Sequence, residues 1–196
     1  PEAVTLYENL SMTYDYYLNV LGIASYDNNN GTIHAYVGDA YLQGENAYNW
    51  GPFVVDDKNV TLLSFGYANN YNRDLDIVGH EFTHAVQGSV IQGLEGSGEI
   101  GALMEAYADV AGELIQLYYT GSIDWANDVR NIADPASGSH PVKYQGAHYG
   151  DGIHKNSTVV SHAIYNIYQN GVNDVEELSE LTFRAWQYLT PASTFV

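Results

Sequence analysis

Cysteine is absent from the 196 residues, and only 6 of them are Lys or Arg against 24 Asp or Glu. The first absence excludes disulfides and removes thiolates from the available nucleophiles and metal ligands, so any bound metal must rest on His, Asp and Glu. The second leaves a formal charge of -18. Such a surface repels a phosphate backbone or an anionic membrane, so neither nucleic acid nor membrane is an expected partner. The charge itself reads as a solvated surface, with cation capture by acidic loops as the sharper alternative. Apolar runs are short, none approaching the roughly 20 residues of a membrane span. Pro1-Glu2-Ala3 lacks the basic and apolar regions of a signal peptide, which leaves the compartment unread from targeting. Neither an internal repeat nor a low-complexity segment is present. The length fits one sizeable core, with room for two lobes.

What is there divides near residue 70. Leu6, Leu10, Tyr14, Tyr17, Leu18 and Leu21 recur at three- and four-residue steps, predicting an amphipathic helix over Leu6 to Val20 that ends near Gly22. Asp27-Asn28-Asn29-Asn30-Gly31 reads as a turn, Thr32 to Val37 as a strand, and Phe53 to Val55 with Val60 to Phe65 as strand interrupted by residues 56 to 59. Beyond the polar loop at Asn69 to Arg73 the pattern is helical. Asp74 stands as the cap of a helix reaching about Gly88, and further helices are expected over Glu99 to Tyr119, Asn156 to Asn170 and Val175 to Leu189.

Chemistry concentrates on two of these helices. His80-Glu81-Phe82-Thr83-His84 sets two imidazoles four residues apart on one helix face, where both can reach a single cation. Glu81 lies about 100° round the helix, near enough to a metal site to handle a water without being a ligand. The same pattern also arises by chance in unrelated proteins with ordinary surface or core histidines. A catalytic zinc needs a third protein ligand, and His₂Glu is one recognised set. Glu105, 21 positions after His84, and Asp109 share a face of a helix otherwise dominated by apolar residues. They are either solvated helix carboxylates or buried ones that require partners such as a metal and its ligand imidazole.

The segments Asp76-Ile77-Val78-Gly79-His80-Glu81-Phe82-Thr83-His84-Ala85-Val86 and Gly101-Ala102-Leu103-Met104-Glu105-Ala106-Tyr107-Ala108-Asp109 resemble the two zinc-ligand motifs of the thermolysin family of neutral metallopeptidases. The similarity continues in order through Tyr14-Asp15-Tyr16-Tyr17, Asn46-Ala47-Tyr48, Arg130 with Asp134-Pro135, Gly152-Ile153-His154-Lys155-Asn156-Ser157, and Tyr188-Leu189-Thr190-Pro191. It implies zinc held by His80, His84 and Glu105, with Glu81 as the general base that activates the attacking water and Asp109 orienting His80. It implies that His154 stabilises the negatively charged transition state. Asn46 and the Ala47 backbone would bind the substrate main chain, and Arg130 the carbonyl beyond the cut. Ile77 and Val129 match walls of a pocket for an apolar residue after the scissile bond. On the residues alone, His154 reads as an ordinary loop histidine and Arg130 as an exposed surface charge.

Four positions depart from the family pattern. Gly96 stands where a tyrosine usually helps hold the oxyanion, and Tyr149 where an acidic residue usually partners His154, with Asp151 three residues before that histidine. Met104 replaces an asparagine that supports the second ligand histidine, so His84 is left to a backbone or water partner. The paired calcium site looks eroded: Asp76 and Asp124 match, but Gln116 and Ala126 replace carboxylates, and weak calcium binding or none is expected.

These readings predict an α+β, mostly helical fold with the zinc at the bottom of a cleft. Residues 1–73 would form a reduced N-terminal lobe with a helix and a small β element, 74–90 an active-site helix between lobes, and 91–196 a helical C-terminal lobe lacking the family's last helix. The expected function is that of a secreted, monomeric zinc endopeptidase acting on protein or peptide substrates. The rivals are a zinc protein that has lost catalysis and a secreted module whose acidic loops capture cations.

Overall fold

A computed structural model describes residues 2–38, 46–66, 68–90, 94, 96–126, 130–144 and 152–195. It is α+β and mostly helical, and it separates into two compact units, Pro1–Gln92 and Gly93–Val196.

The first unit opens with helix α1, Glu2–Leu21, which buries Leu6, Asn9, Thr13, Tyr16 and Tyr17 along one stripe. It starts earlier than the apolar repeat suggests, because its first turn is tied by the amide of Asn72, which donates to the Glu2 carbonyl at 3.2 Å. Gly22, at φ 70°, ends it in the left-handed conformation that only glycine adopts cheaply.

Three strands follow: β1 (Thr32–Val37), β2 (Ala47–Val55) and β3 (Lys58–Phe65), in the order β1-β3-β2. β1 runs parallel to β3, and β2 antiparallel. Asp56 and Asp57, the expected interruption, form a two-residue hairpin turn with positive φ at both positions, the geometry that matches strand twist. β2 begins six residues before the predicted strand, and a register shift between Asn49 and Pro52 breaks the alternation that would have announced it.

Helix α2, Leu75–Val90, is buried on most of its circumference, from Ile77 to Thr83 and again at Ala85, Val86 and Gln87. Its first turn is not closed by an aspartate ahead of the helix alone: the Asp74 carbonyl accepts from Val78 N–H at 3.0 Å, and the Asp76 carboxylate accepts from Ile77 N–H at 2.8 Å. Tyr17 fixes α1 to α2 twice. Its ring stacks on Phe82 at 5.1 Å, and its hydroxyl lies 2.7 Å from Thr83 Oγ1. Because Thr83 spends its own proton on the Gly79 carbonyl at 2.7 Å, Tyr17 is the donor in this pair.

The second unit is organised on helix α3, Gly98–Thr120, whose buried residues run almost without a break from Glu105 to Ile115. The turn α4 (Ile153–Asn156) and helices α5 (Thr158–Gln169) and α6 (Val175–Gln187) pack against it. Trp186 of α6 stacks on Tyr107 of α3 with centroids 5.1 Å apart and planes 6° from parallel. α6 starts at Asp174, whose carboxylate accepts from Glu177 N–H at 2.9 Å, a side-chain N-cap. Among the described residues, no helix is long and apolar enough to cross a membrane.

Candidate metal centre

Each unit carries part of the predicted site. In the first unit, one turn of α2 brings His80 Nε2 within 3.0 Å of His84 Nε2, the two rings nearly perpendicular. Two nitrogens bound at about 2.0–2.1 Å on a tetrahedral zinc stand roughly 3.3 Å apart, so the pair already sits near the separation that metal imposes. His80 and Glu81 are both buried, each 8% exposed.

The other nitrogen of His84 has a partner that sequence reasoning missed. His84 Nδ1 lies 2.8 Å from Gln87 Oε1, and Gln87 is fully buried three residues further along the same helix. The expectation of a backbone or water partner for His84 is therefore corrected: the acceptor is a side chain one turn away. The i, i+3 spacing was the available signal.

Asn46 is exposed at the entry to β2, where its side-chain oxygen accepts from Ala47 N–H at 3.0 Å and its carbonyl from Gly66 N–H at 2.7 Å. Ala47 is buried and pairs with Phe65. Ile77, matched to a pocket wall, is buried. Val129, Tyr149 and Asp151 lie outside the described residues.

In the second unit, Glu105, Asp109 and Glu113 form a carboxylate stripe along α3 at four-residue intervals, 6%, 1% and 0% exposed. Solvated helix carboxylates are thus ruled out. Arg130 is not a surface charge either. It is 5% exposed and donates from Nε to Asp109 Oδ2 at 2.8 Å and from Nη2 to Asp109 Oδ1 at 2.5 Å. The desolvation of each charge is offset by this two-pronged pairing, the geometry for which a guanidinium is suited. Nη2 also stands 3.7 Å from Glu105 Oε2.

His154 belongs to the helical turn α4 rather than to a loop, and its side chain is 64% exposed. Its Nε2 lies 3.5 Å from Glu105 Oε2. The turn is held by Ser157, a fully buried residue that sequence reasoning did not single out for itself, whose hydroxyl lies 2.8 Å from the His154 carbonyl and 3.2 Å from Asp109 Oδ2. Asp109 therefore serves both Arg130 and the turn bearing His154. Nearby, burial first, then the Arg130 and Lys155 charges, hold the His140 imidazole below its ordinary pKa, with Asp109 opposing them. His140 is consequently neutral near pH 7.

Gly96 is exposed, and a Cβ there would meet open space. The Asp124 carboxylate accepts from Ala126 N–H at 3.2 Å, a local turn contact.

Comparisons with known proteins point to one family. Residues 1–88 match the model of the thermolysin metallopeptidase catalytic domain, and residues 92–196 that of its alpha-helical domain. A bacillolysin of Bacillus caldolyticus is 33% identical over 221 residues, covering 98% of this chain and 39% of the relative. The thermostable neutral protease NprT of Geobacillus stearothermophilus is 34% identical with the same coverage. The chain thus spans about two fifths of the length of these relatives. The structure of the precursor of protealysin, a metalloproteinase from Serratia proteamaculans, superposes with a TM-score of 0.73 at 22% identity, over 99% of this chain and 68% of that one.

Proposed function

The chain belongs to the thermolysin metallopeptidase family, and we propose that it is a zinc-dependent endopeptidase that hydrolyses peptide bonds in protein or peptide substrates outside the cell. The observation that carries this reading is the 3.0 Å approach of the His80 and His84 imidazole nitrogens on a helix that also presents the buried Glu81. His80, His84 and Glu105 would hold the metal, and two imidazoles with one carboxylate is a set that zinc accepts. Bound there, zinc would make water acidic enough to lose a proton near neutral pH and would polarise the scissile carbonyl.

The chain's own residues supply the rest. Glu81 takes the proton from the attacking water and delivers it to the leaving amine. The His154 ring N–H donates to the oxygen on which charge develops. Arg130, held in plane by Asp109, donates to the carbonyl beyond the cut. The Asn46–Ala47 end of an edge strand offers backbone groups to the substrate main chain. The buried apolar Ile77 supports a preference for an apolar residue after the scissile bond. With Gly96 supplying no side-chain donor, the oxyanion depends more heavily on His154, since each such donor is worth roughly 10²- to 10³-fold in rate.

The test compares wild type with Glu81→Gln on casein and on a quenched peptide, with zinc content measured in both. The expected result is one zinc per chain in each protein and hydrolysis reduced about 10²- to 10⁴-fold in the variant. Equal hydrolysis by the two proteins overturns the mechanism. Stoichiometric zinc without chelator-sensitive hydrolysis in wild type replaces it with a zinc protein that has lost catalysis.

A further inference from the structure

The second ligand histidine raises a question that the donor set does not answer: which nitrogen of His84 is left for the metal. A neutral imidazole carries its proton on one nitrogen and a lone pair on the other, and the hydrogen bond made by one fixes the role of the other. His84 Nδ1 faces Gln87 Oε1 at 2.8 Å, and His84 Nε2 faces His80 Nε2 at 3.0 Å. A carboxamide oxygen is only an acceptor, so the proton on His84 must sit on Nδ1, and the lone pair on Nε2 points at the place where the two imidazoles converge.

We infer that Gln87 is the residue that sets His84 in its metal-binding tautomer and orientation. This rests on the proposed zinc site. Three features make Gln87 suited to the task. It is fully buried, so its oxygen does not compete with bulk water for the histidine proton. It lies on the same helix at i+3, so the bond needs no loop to close. Its neighbourhood on α2 is packed, with Thr83 and Val86 also fully buried, which holds the side chain in one place. A reversed carboxamide would present N–H to Nδ1, drive the proton to Nε2 and point a hydrogen at His80, the arrangement that excludes a metal. Position 104, where Met stands, has no acceptor in its thioether comparable to a carboxamide oxygen.

The experiment uses wild type, Gln87→Met, which keeps the volume and removes the acceptor, and Gln87→Glu, which keeps it. Zinc affinity is measured by competition with a chromophoric chelator, and folding of the metal-free proteins by circular dichroism. Outer partners of ligand histidines are worth about 10- to 100-fold in metal affinity, so Gln87→Met is expected to weaken zinc binding by that factor while Gln87→Glu holds or strengthens it. A folded Gln87→Met with wild-type affinity overturns the inference. A second measurement needs no variant: long-range ¹H–¹⁵N correlation on zinc-loaded wild type should show His84 protonated at Nδ1 and metal-bound through Nε2. The opposite assignment overturns the inference even if the methionine variant does not fold. Failure of wild type to bind zinc at all sinks the site reading beneath it, whereas zinc held equally by wild type and Gln87→Met sinks the role of Gln87 alone.

Discussion

Asp109 and Arg130 give the sharpest energetic test of the second unit. Both are almost wholly withdrawn from solvent, at 1% and 5% exposure, and they are joined by two hydrogen bonds of 2.8 and 2.5 Å. An exposed ion pair is worth about 0–1 kcal/mol, but removing one partner of a buried pair strands the other charge and costs about 3–5 kcal/mol. For a chain of this size each kcal/mol moves the melting temperature by roughly 2–4 °C, so Arg130→Met or Asp109→Leu should lower it by about 6–20 °C. The double variant strands neither member of the pair and takes from Glu105 only the 3.7 Å contact with Nη2. Its stability should return to within about 2 kcal/mol of wild type, because buried ion pairs replaced by apolar groups of similar volume are often neutral. The assay is thermal and urea unfolding of metal-free protein, which separates this pair from any zinc contribution. Hydrolysis should not recover in the double variant, since the arginine proposed to meet the substrate is gone. Single substitutions costing under about 1 kcal/mol, or a double variant as unstable as the sum of the singles, would refute the buried-pair reasoning.

Two further outcomes follow from local geometry. Burial alone would raise the pKa of Asp27, but hydrogen bonds from the Asn59 side chain and from Gly31 and Asn29 N–H outweigh it and hold the carboxyl below its ordinary range. A depressed folded pKa means stabilisation that is full above the unfolded value of about 3.9 and lost as pH falls through the folded one. The stability gap between wild type and Asp27→Asn should therefore be widest near pH 7 and close in acid, as read by urea unfolding across pH. A gap independent of pH removes the carboxylate from the explanation. At Gly101 an added Cβ would stand 2.7 Å from the backbone carbon of Gly96 and 2.9 Å from Ile153 Cγ2. Gly101→Ala should cost about 1–3 kcal/mol and, by pushing the turn that carries His154 off α3, lower kcat more than it changes KM; unaltered melting and kinetics would show that the turn absorbs the methyl freely.

How much of this was legible depends on where each partner lies along the chain. α1, α2 and α3 announced themselves because their buried faces repeat at the helical period, and the second unit's last two helices did so within a few residues at each end. β2 did not, because Gly51-Pro52 sits at a register shift and interrupts the alternation on which a strand is recognised. The histidine pair, Glu105 and Asp109 were visible for the same reason as the helices: four-residue spacing is a property of one element. Arg130 was misjudged as exposed because its partner is 21 positions away on another element, and nothing local to residue 130 encodes that meeting. Ser157 was hidden likewise, since its link to Asp109 spans 48 positions. Gln87 is the instructive exception. It stands three residues from His84 on the same helix, within reach of sequence reasoning, yet a glutamine carries no charge and no ligand chemistry to draw attention. Its meaning appears only once the two nitrogens of His84 are counted separately. One faces His80 and the other must give its proton to something, and a fully buried carboxamide oxygen at 2.8 Å meets that need. A ligand pair read as two identical imidazoles conceals this; read as four nitrogens, two committed to the metal and two requiring acceptors, it turns the residue at i+3 from a neutral helix former into part of the site.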